Sequence, residues 1–389
     1  MKSVIKLIRV TTPSATFKFL LKGQSRFLSN FFNVIAVTGD DVFLDDIKKN
    51  EDIECHVIPM RRNISLINDF ISLINLYLFF RKEKPTLVHS VTPKAGLLSM
   101  IAAYFACVPI RIHSFTGLIF PTKRGLKKYI IMTTDKILCY FSTNLYSDGN
   151  GVKRDLLNYN ITKKEIKVLA KGSIDGLDCN YFNKKSILKK TKNILKKKYS
   201  ISDDNFVFIF VGRLVKDKGI NELILAFNDL TKNNNKLKLL LVGDFENNLD
   251  PLNNLTNEII NINKSIILTG VVDDVRPYFA ISNVFVFPTY REGFPVSLME
   301  AGSMNLPSIV TNVNGCNEII KDNFNGLVIP PKEKQVLRDK MFEIYSNNNL
   351  YNLLSNNSRK VIVEKYNQKK VRNLIKIEYN NLISSLKTN

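Results

Sequence analysis

The sequence predicts an α/β protein built from two doubly wound parallel sheets, one in each half of the chain. Short apolar runs alternate with longer helical patterns through both halves, as parallel strands joined by crossover helices require. A turn-rich segment, Ala170-Lys-Gly-Ser-Ile-Asp-Gly-Leu-Asp-Cys-Asn180, separates the halves and reads as a hinge. The chain has 389 residues, too many for one ordinary domain and suited to two.

In the first half, Val4–Val10, Asn33–Val37, His56–Pro59, Leu87–Ser90, Ile110–His113 and Leu145–Ser147 are short and apolar or β-branched, and read as buried strands. Between them, Phe17–Asn30, Ile64–Arg81, Lys94–Phe105 and Lys123–Phe141 carry helical patterns. The run from Ile64 to Phe80 is interrupted by Asn68, Asp69 and Asn75, which marks a half-buried helix rather than a membrane span. The second half repeats the plan with strands Phe206–Val211, Lys238–Val242, Ser265–Leu268, Val284–Phe287 and Ser308–Val310. Helices Ile220–Leu230, Val275–Ile281, Pro295–Ser303 and Asn317–Ile320 alternate with them, and Lys189–Lys198 reads as a solvated amphipathic helix. Three helical stretches follow Pro331 and end near Leu386.

Composition bounds the function. Hydrophobic residues make up 45%, ample for packed cores. The five cysteines are scattered with no Cys-x-x-Cys pair, so neither a disulfide framework nor a zinc site is expected, and a reducing cytoplasm fits. No secretory leader pattern opens the chain. The net charge is +21, with +13 in residues 1–185 and +8 in the remainder. Part of this is a general richness in Lys, Asn and Ile. The rest suits an anionic membrane surface or a diphosphate-linked acceptor, and no nucleic-acid-binding motif accompanies it.

The chemistry concentrates in Pro288-Thr-Tyr-Arg-Glu-Gly-Phe-Pro-Val-Ser-Leu-Met-Glu300. The strand before it is apolar, Gly293 permits a tight turn, and Pro295 suits a first helical turn. Glu292 therefore falls in the loop at the strand's carboxyl end, and Glu300 falls about a turn and a half into the helix. The first-turn N–H groups at Phe294, Val296 and Ser297 form a place for an anion. Two acids flanking such a place suit a ligand with phosphate in the middle and hydroxyl-rich groups at both ends, as in a nucleotide sugar. A second segment, Phe210-Val-Gly-Arg-Leu-Val-Lys-Asp-Lys-Gly219, sets Arg213 and Lys218 just after a strand beside Gly212. Two cations there suit a diphosphate, although a surface Arg and Lys opening a helix would look similar.

These segments resemble the retaining glycosyltransferases of family 4. The resemblance includes Glu292-x7-Glu300 around Gly-Phe-Pro, then Leu298-Met-Glu-Ala-Gly302, Leu306-Pro-Ser-Ile-Val310, Asn314-Gly-Cys-Asn-Glu318 and Asn325-Gly-Leu-Val-Ile-Pro330. It is specific over about Val207 to Pro330 and weaker before Gly172. It implies the GT-B fold: two Rossmann-like domains facing a central cleft, with the C-terminal helix crossing back to the first. The expected divisions are 1–171 for the acceptor domain, 172–183 for the hinge, 184–366 for the donor domain and 367–389 for the returning helix.

By the same resemblance, Arg213 and Lys218 neutralise the leaving nucleoside diphosphate, with no metal or cofactor. Glu300 takes the ribose hydroxyls and Glu292 the transferred sugar. Val271, in Gly270-Val-Val-Asp-Asp274, reads the base through its backbone. Arg291, Gly293, Phe294, Val296 and Ser297 complete the donor site, and His113 faces the donor sugar. His89 is as readily structural, though Lys94 beyond it could meet an acceptor phosphate. A departure is the first loop, Thr11-Thr-Pro-Ser14 with a single Gly23, where many members carry Gly-Gly.

The expected function is retaining transfer of a hexose or N-acetylhexosamine from a UDP-linked sugar to a lipid-linked or growing saccharide. The acceptor implied is surface polysaccharide, lipopolysaccharide or capsule, assembled at the cytoplasmic face of the membrane by a peripheral enzyme. A UDP-N-acetylglucosamine 2-epimerase of the same fold is the rival enzyme. A silent nucleotide-sugar-binding or anionic-surface-binding protein is the rival of another class.

Overall fold

The computed structural model describes residues 5–41, 43–60, 65–232, 234–246 and 250–388. The chain forms two compact units, Met1–Gly176 with Gln368–Asn389, and Leu177–Asn367.

The first unit is built on a parallel seven-stranded sheet. Its strands are β1 (Lys6–Val10), β2 (Asn33–Thr38), β3 (Glu54–Val57), β4 (Leu87–Ser90), β5 (Ile110–Phe115), β6 (Asn144–Ser147) and β7 (Ile166–Lys167). Their spatial order is β3-β2-β1-β4-β5-β6-β7. Because side chains alternate across a strand, the two faces of β1 meet different layers. Ile8 and Val10 join Leu76, Phe79, Phe80 and Leu98 in one cluster. Leu7 instead meets Val371, Ile375, Tyr379 and Ile383 of the C-terminal helix Gln368–Thr388. That helix is therefore part of this unit's core. Arg372 reinforces it by gripping buried Asp175 with two bonds, of 2.8 and 2.7 Å.

The second unit has a parallel six-stranded sheet in the order β10-β9-β8-β11-β12-β13. The strands are β8 (Phe206–Val211), β9 (Leu237–Val242), β10 (Ile266–Gly270), β11 (Val284–Phe287), β12 (Ser308–Thr311) and β13 (Gly326–Ile329). Phe210, Phe285 and Phe287 stack through the sheet centre, with centroid spacings of 5.7 and 5.4 Å.

Several local expectations change. The helix expected over Phe17–Asn30 is broken into a π-helical turn, Thr16–Leu20, and a helix, Gln24–Ser29, with left-handed Gly23 at φ 74° between them. The buried Glu51 carboxylate accepts from the N–H groups of Gly23 and Arg26 and caps the second piece. The strand expected at His56–Pro59 is Glu54–Val57, because pairing with Ile35–Thr38 of β2 sets its extent. Helices Leu44–Glu51, Asn150–Asn158 and Asn254–Ile262, and strands β7 and β13, add to the elements expected. The expected starts at Val4 and Ile64 lie outside the described residues.

Candidate active site

In the second unit β8 and β11 are neighbours where the strand order reverses. The loops leaving two such strands run to opposite sides and leave a crevice at their carboxyl ends. These loops are Gly212–Gly219 and Pro288–Pro295, the two segments with the charged motifs. Backbone contacts lock them together. The Tyr290 N–H donates to the Asp217 carbonyl at 2.9 Å. Gly219 sits at φ +71°, and a Cβ there would lie 2.0 Å from the Pro288 carbonyl oxygen, so only glycine fits. The Leu214 N–H donates to Asp244 O at 2.8 Å, and the Asp217 N–H to Asp250 Oδ2 at 2.7 Å. These bonds fasten the first loop to the segment after β9.

The charged side chains sort themselves on this frame. Lys218 and Glu292 form an ion pair, their side chains only 18% and 13% exposed. Thr289 Oγ1 donates to Glu292 Oε1 at 3.0 Å, and the Thr289 carbonyl accepts from the Thr311 hydroxyl at the end of β12. The carboxylate is thus oriented from two strands. Arg291 Nε lies 2.7 Å from Asp217 Oδ2, an ion pair whose N–H is not aligned for a hydrogen bond. Arg213 is exposed and pairs with Glu246 at 2.5 Å. Lys218, Arg291 and Glu292 therefore gather between the two loops, and Arg213 has a partner of its own. Cys316 is buried beside the pair. Burial, and then the Glu292 charge, push its thiol well above the usual range, so it stays protonated and is no nucleophile.

The rest of the donor-site expectation follows the chain past Glu292. Gly293 packs so tightly on Gly315, at φ +73°, that a Cβ there would fall 2.2 Å from the Gly293 carbonyl oxygen. Phe294 is buried edge-on against Tyr366, 5.3 Å between centroids. The helix Val296–Ser303 starts after Pro295 with no side-chain cap. Its first-turn N–H groups, those of Val296 and Ser297 included, have no partner within the helix. Glu300 is half-buried on the same helix. Gly212 stands at φ +149° directly after β8. Val271 is 76% exposed after β10, where the Gly270 carbonyl accepts from the Gly243 N–H at 3.0 Å.

The histidines belong to the first unit. His113 ends up buried, its Nδ1 2.8 Å from Ser90 Oγ and its ring against Gly96. Burial pulls its pKa down to about 3, so the ring is neutral. His89 is buried too, held by Tyr379 OH at 2.6 Å and Ser114 Oγ at 2.7 Å, an arrangement that serves packing. Lys94 is ion-paired with Asp69 at 2.7 Å.

Sequence reasoning passed over Asp217, Glu246, Thr289 and Thr311. Asp217 and Thr289 stand inside the charged segments and were open to notice. Glu246 and Thr311 come from the ends of other strands, and only sheet pairing brings them in.

Both halves of the chain resemble known proteins. Residues 191–361 match the family described as "Glycosyl transferases group 1", and residues 13–149 match "Glycosyl transferase 4-like". The chain is 32% identical over 382 residues to the capsular polysaccharide biosynthesis glycosyltransferase CapM of Staphylococcus aureus, covering 97% of each. It is 31% identical to the UDP-Gal:alpha-D-GlcNAc-diphosphoundecaprenol alpha-1,3-galactosyltransferase of Escherichia coli, covering 84% of this chain and 82% of that one. The crystal structure of Anabaena Alr3699/HepE in complex with UDP superposes with a TM-score of 0.79 at 14% identity, covering 97% of this chain and 100% of that one, a likeness of fold. The chain belongs to the family-4 glycosyltransferases of GT-B fold, and it is similar along its length to an enzyme of bacterial capsule synthesis.

Proposed function

We propose that this glycosyltransferase moves a hexose or N-acetylhexosamine from a UDP-sugar to a lipid-linked or growing saccharide, with retention at the anomeric carbon. The observation that carries the reading is the meeting of Lys218 and Glu292 at the point where the strand order reverses. A cation and a carboxylate side by side suit the two ends of the bond to be broken. Lys218 would turn to the diphosphate, joined by Arg213 and the first-turn N–H groups of Val296 and Ser297. Glu292, oriented by Thr289, would hold the sugar's hydroxyls and steady positive charge at the anomeric carbon. Glu300 would take the ribose hydroxyls, and the loop at Gly270 and Val271 the base.

As the bond from the anomeric carbon to the phosphate oxygen breaks, its electrons pass to the diphosphate, where the cations stabilise them. The acceptor oxygen bonds to the same face of that carbon, and its proton passes to the departing phosphate oxygen. Among the described residues the buried, protonated Cys316 offers no covalent alternative. His113, buried in the first unit and neutral at physiological pH, would take no part in proton transfer. The cations and helix N-terminus supply positive charge, so the reading includes no metal ion.

The named Escherichia coli relative supports a UDP-linked donor, an undecaprenyl diphosphate acceptor and an α product. An α-linked nucleotide sugar giving an α-glycoside keeps its configuration. A lipid-linked acceptor would bring the enzyme to the cytoplasmic face of the membrane as a peripheral protein.

Calorimetry against UDP, GDP, ADP and their common sugars, with magnesium and then with chelator, tests the donor. UDP binding that survives the chelator supports the reading, and preference for another nucleotide overturns the donor. Product anomeric configuration, read by NMR coupling, decides retention: a β product from an α donor would refute it.

A further inference from the structure

Helices Leu66–Glu83, Pro93–Phe105 and Gly125–Phe141 pack side by side in one layer of the first unit. The middle helix is largely buried. The outer two expose apolar side chains that the fold leaves uncovered. On the first, Leu66, Phe70, Ile74 and Leu78 recur every four residues and are 82%, 62%, 41% and 58% exposed. They form one stripe on the side away from the buried Leu76, Phe79 and Phe80. On the second, Leu126, Tyr129, Ile130, Ile137 and Tyr140 are likewise exposed. Single exposed apolar residues are ordinary, whereas stripes on two helices of one layer mark a surface that meets something apolar.

Charge narrows the choice of partner. Residues 104–141 contain six basic side chains and one acid, Asp135, which is buried. Arg124, Lys127 and Lys136 are exposed among the apolar side chains of the second helix. Tyr104, Tyr140 and Phe141 stack edge-on where two helices end, with centroids 5.1 Å apart in each contact with Phe141. Tyrosines at the edge of an apolar patch favour a membrane–water interface. A second copy docking on itself would set these lysines against lysines. An anionic bilayer answers both the apolar stripes and the charge. No helix among the described residues is long and apolar enough to cross a membrane.

We propose that this two-helix face docks flat on a bilayer with anionic headgroups, its apolar side chains entering the headgroup boundary. The proposal deepens the reading of a lipid-linked acceptor, on which it rests, by naming the surface that meets the lipid.

The test is co-sedimentation of the full chain with vesicles of phosphatidylcholine alone, or with about one third phosphatidylglycerol added. Phe70→Ser with Tyr129→Ser removes apolar anchors, and Arg124→Glu with Lys127→Glu reverses charge, all at exposed positions. Binding should be at least about tenfold stronger to the phosphatidylglycerol vesicles, and each variant pair should lower it by about tenfold or more. The UDP-induced thermal shift, measured alongside, should be unchanged in both pairs and shows that they fold. Absence of vesicle binding, or binding that both pairs retain, overturns the proposal. A dimer in light scattering that Phe70→Ser with Tyr129→Ser dissolves, without vesicle binding, assigns the face to a second copy and also overturns it. Vesicle binding that follows the prediction while UDP gives no shift would leave the docking face standing and remove the donor reading.

Discussion

Lys218 and Glu292 stand 74 positions apart in the chain and form an ion pair between the loops that leave β8 and β11. Parallel pairing of those strands brings the loops together, and the Tyr290 N–H on the Asp217 carbonyl sets their register. The pair is mostly shielded from water, so each charge relies on the other.

Removing either partner should therefore leave the other charge shielded from water and unpaired. Glu292→Ala or Lys218→Ala should lower the unfolding free energy by up to about 3 kcal/mol, and the double variant by less than the sum. Urea denaturation of the four proteins checks this, and additive losses would mean the pair contributes nothing. Glu292→Ala should also reduce transfer by about a hundredfold or more. Normal turnover would remove Glu292 from the mechanism.

Arg213 offers a test of the diphosphate site. Its guanidinium is held by Glu246, which competes with an incoming phosphate. Arg213→Ala should weaken UDP binding by about ten- to a hundredfold, the worth of one charged hydrogen bond. Glu246→Gln should strengthen it. Calorimetric titration separates the two, and unchanged affinity in both would place the diphosphate elsewhere.

Gly219→Ala should damage stability and binding together. The new methyl group would meet the Pro288 carbonyl oxygen at 2.0 Å in a left-handed backbone, forcing the two loops apart. A loss of at least about 2 kcal/mol is expected, along with weaker UDP binding. Gly125→Ala is the control: its φ is +59° with nothing within 4 Å, so only the backbone cost of about 1–2 kcal/mol applies. Equal thermal shifts for both variants would contradict the tight loop packing.

Asp135 should make stability depend on pH. Burial raises its pKa from 3.8 to about 7. Between those values the folded chain holds a proton there that the unfolded chain has released, so folding takes up a proton. Stability from this group accordingly falls as pH rises from about 4 to 7. Asp135→Asn removes the slope, and its melting temperature relative to the parent should climb between pH 5 and pH 8. A difference that stays flat or falls would mean that burial does not raise the carboxyl's pKa.

Most strands were legible because a strand buried on both faces is a continuous apolar run, as Phe206–Val211 and Val284–Phe287 are. Polar surface helices such as Leu44–Glu51 carry no comparable signal. The two-residue β7 exists only through its pairing with β6. The break at Gly23 depends on Glu51, a residue from another helix, capping the chain there.

Residue type and local spacing were enough to set the α/β alternation, to put Glu292, Arg213 and Lys218 just after strand ends and to put Glu300 in the helix that follows Glu292, since turn residues and apolar runs act over a few positions. Partnership needed the folded chain. Parallel pairing of β8 with β11 gave Lys218 to Glu292, and the loop after β9 gave Arg213 to Glu246. Packing against Gly96 and Ser90 made His113 a buried neutral ring. The same sheet covered one side of helix Leu66–Glu83 and left its other apolar side to the solvent. Burial, desolvation and ion pairing are properties of groups far apart in sequence, and they take their values only when the sheet has brought those groups together.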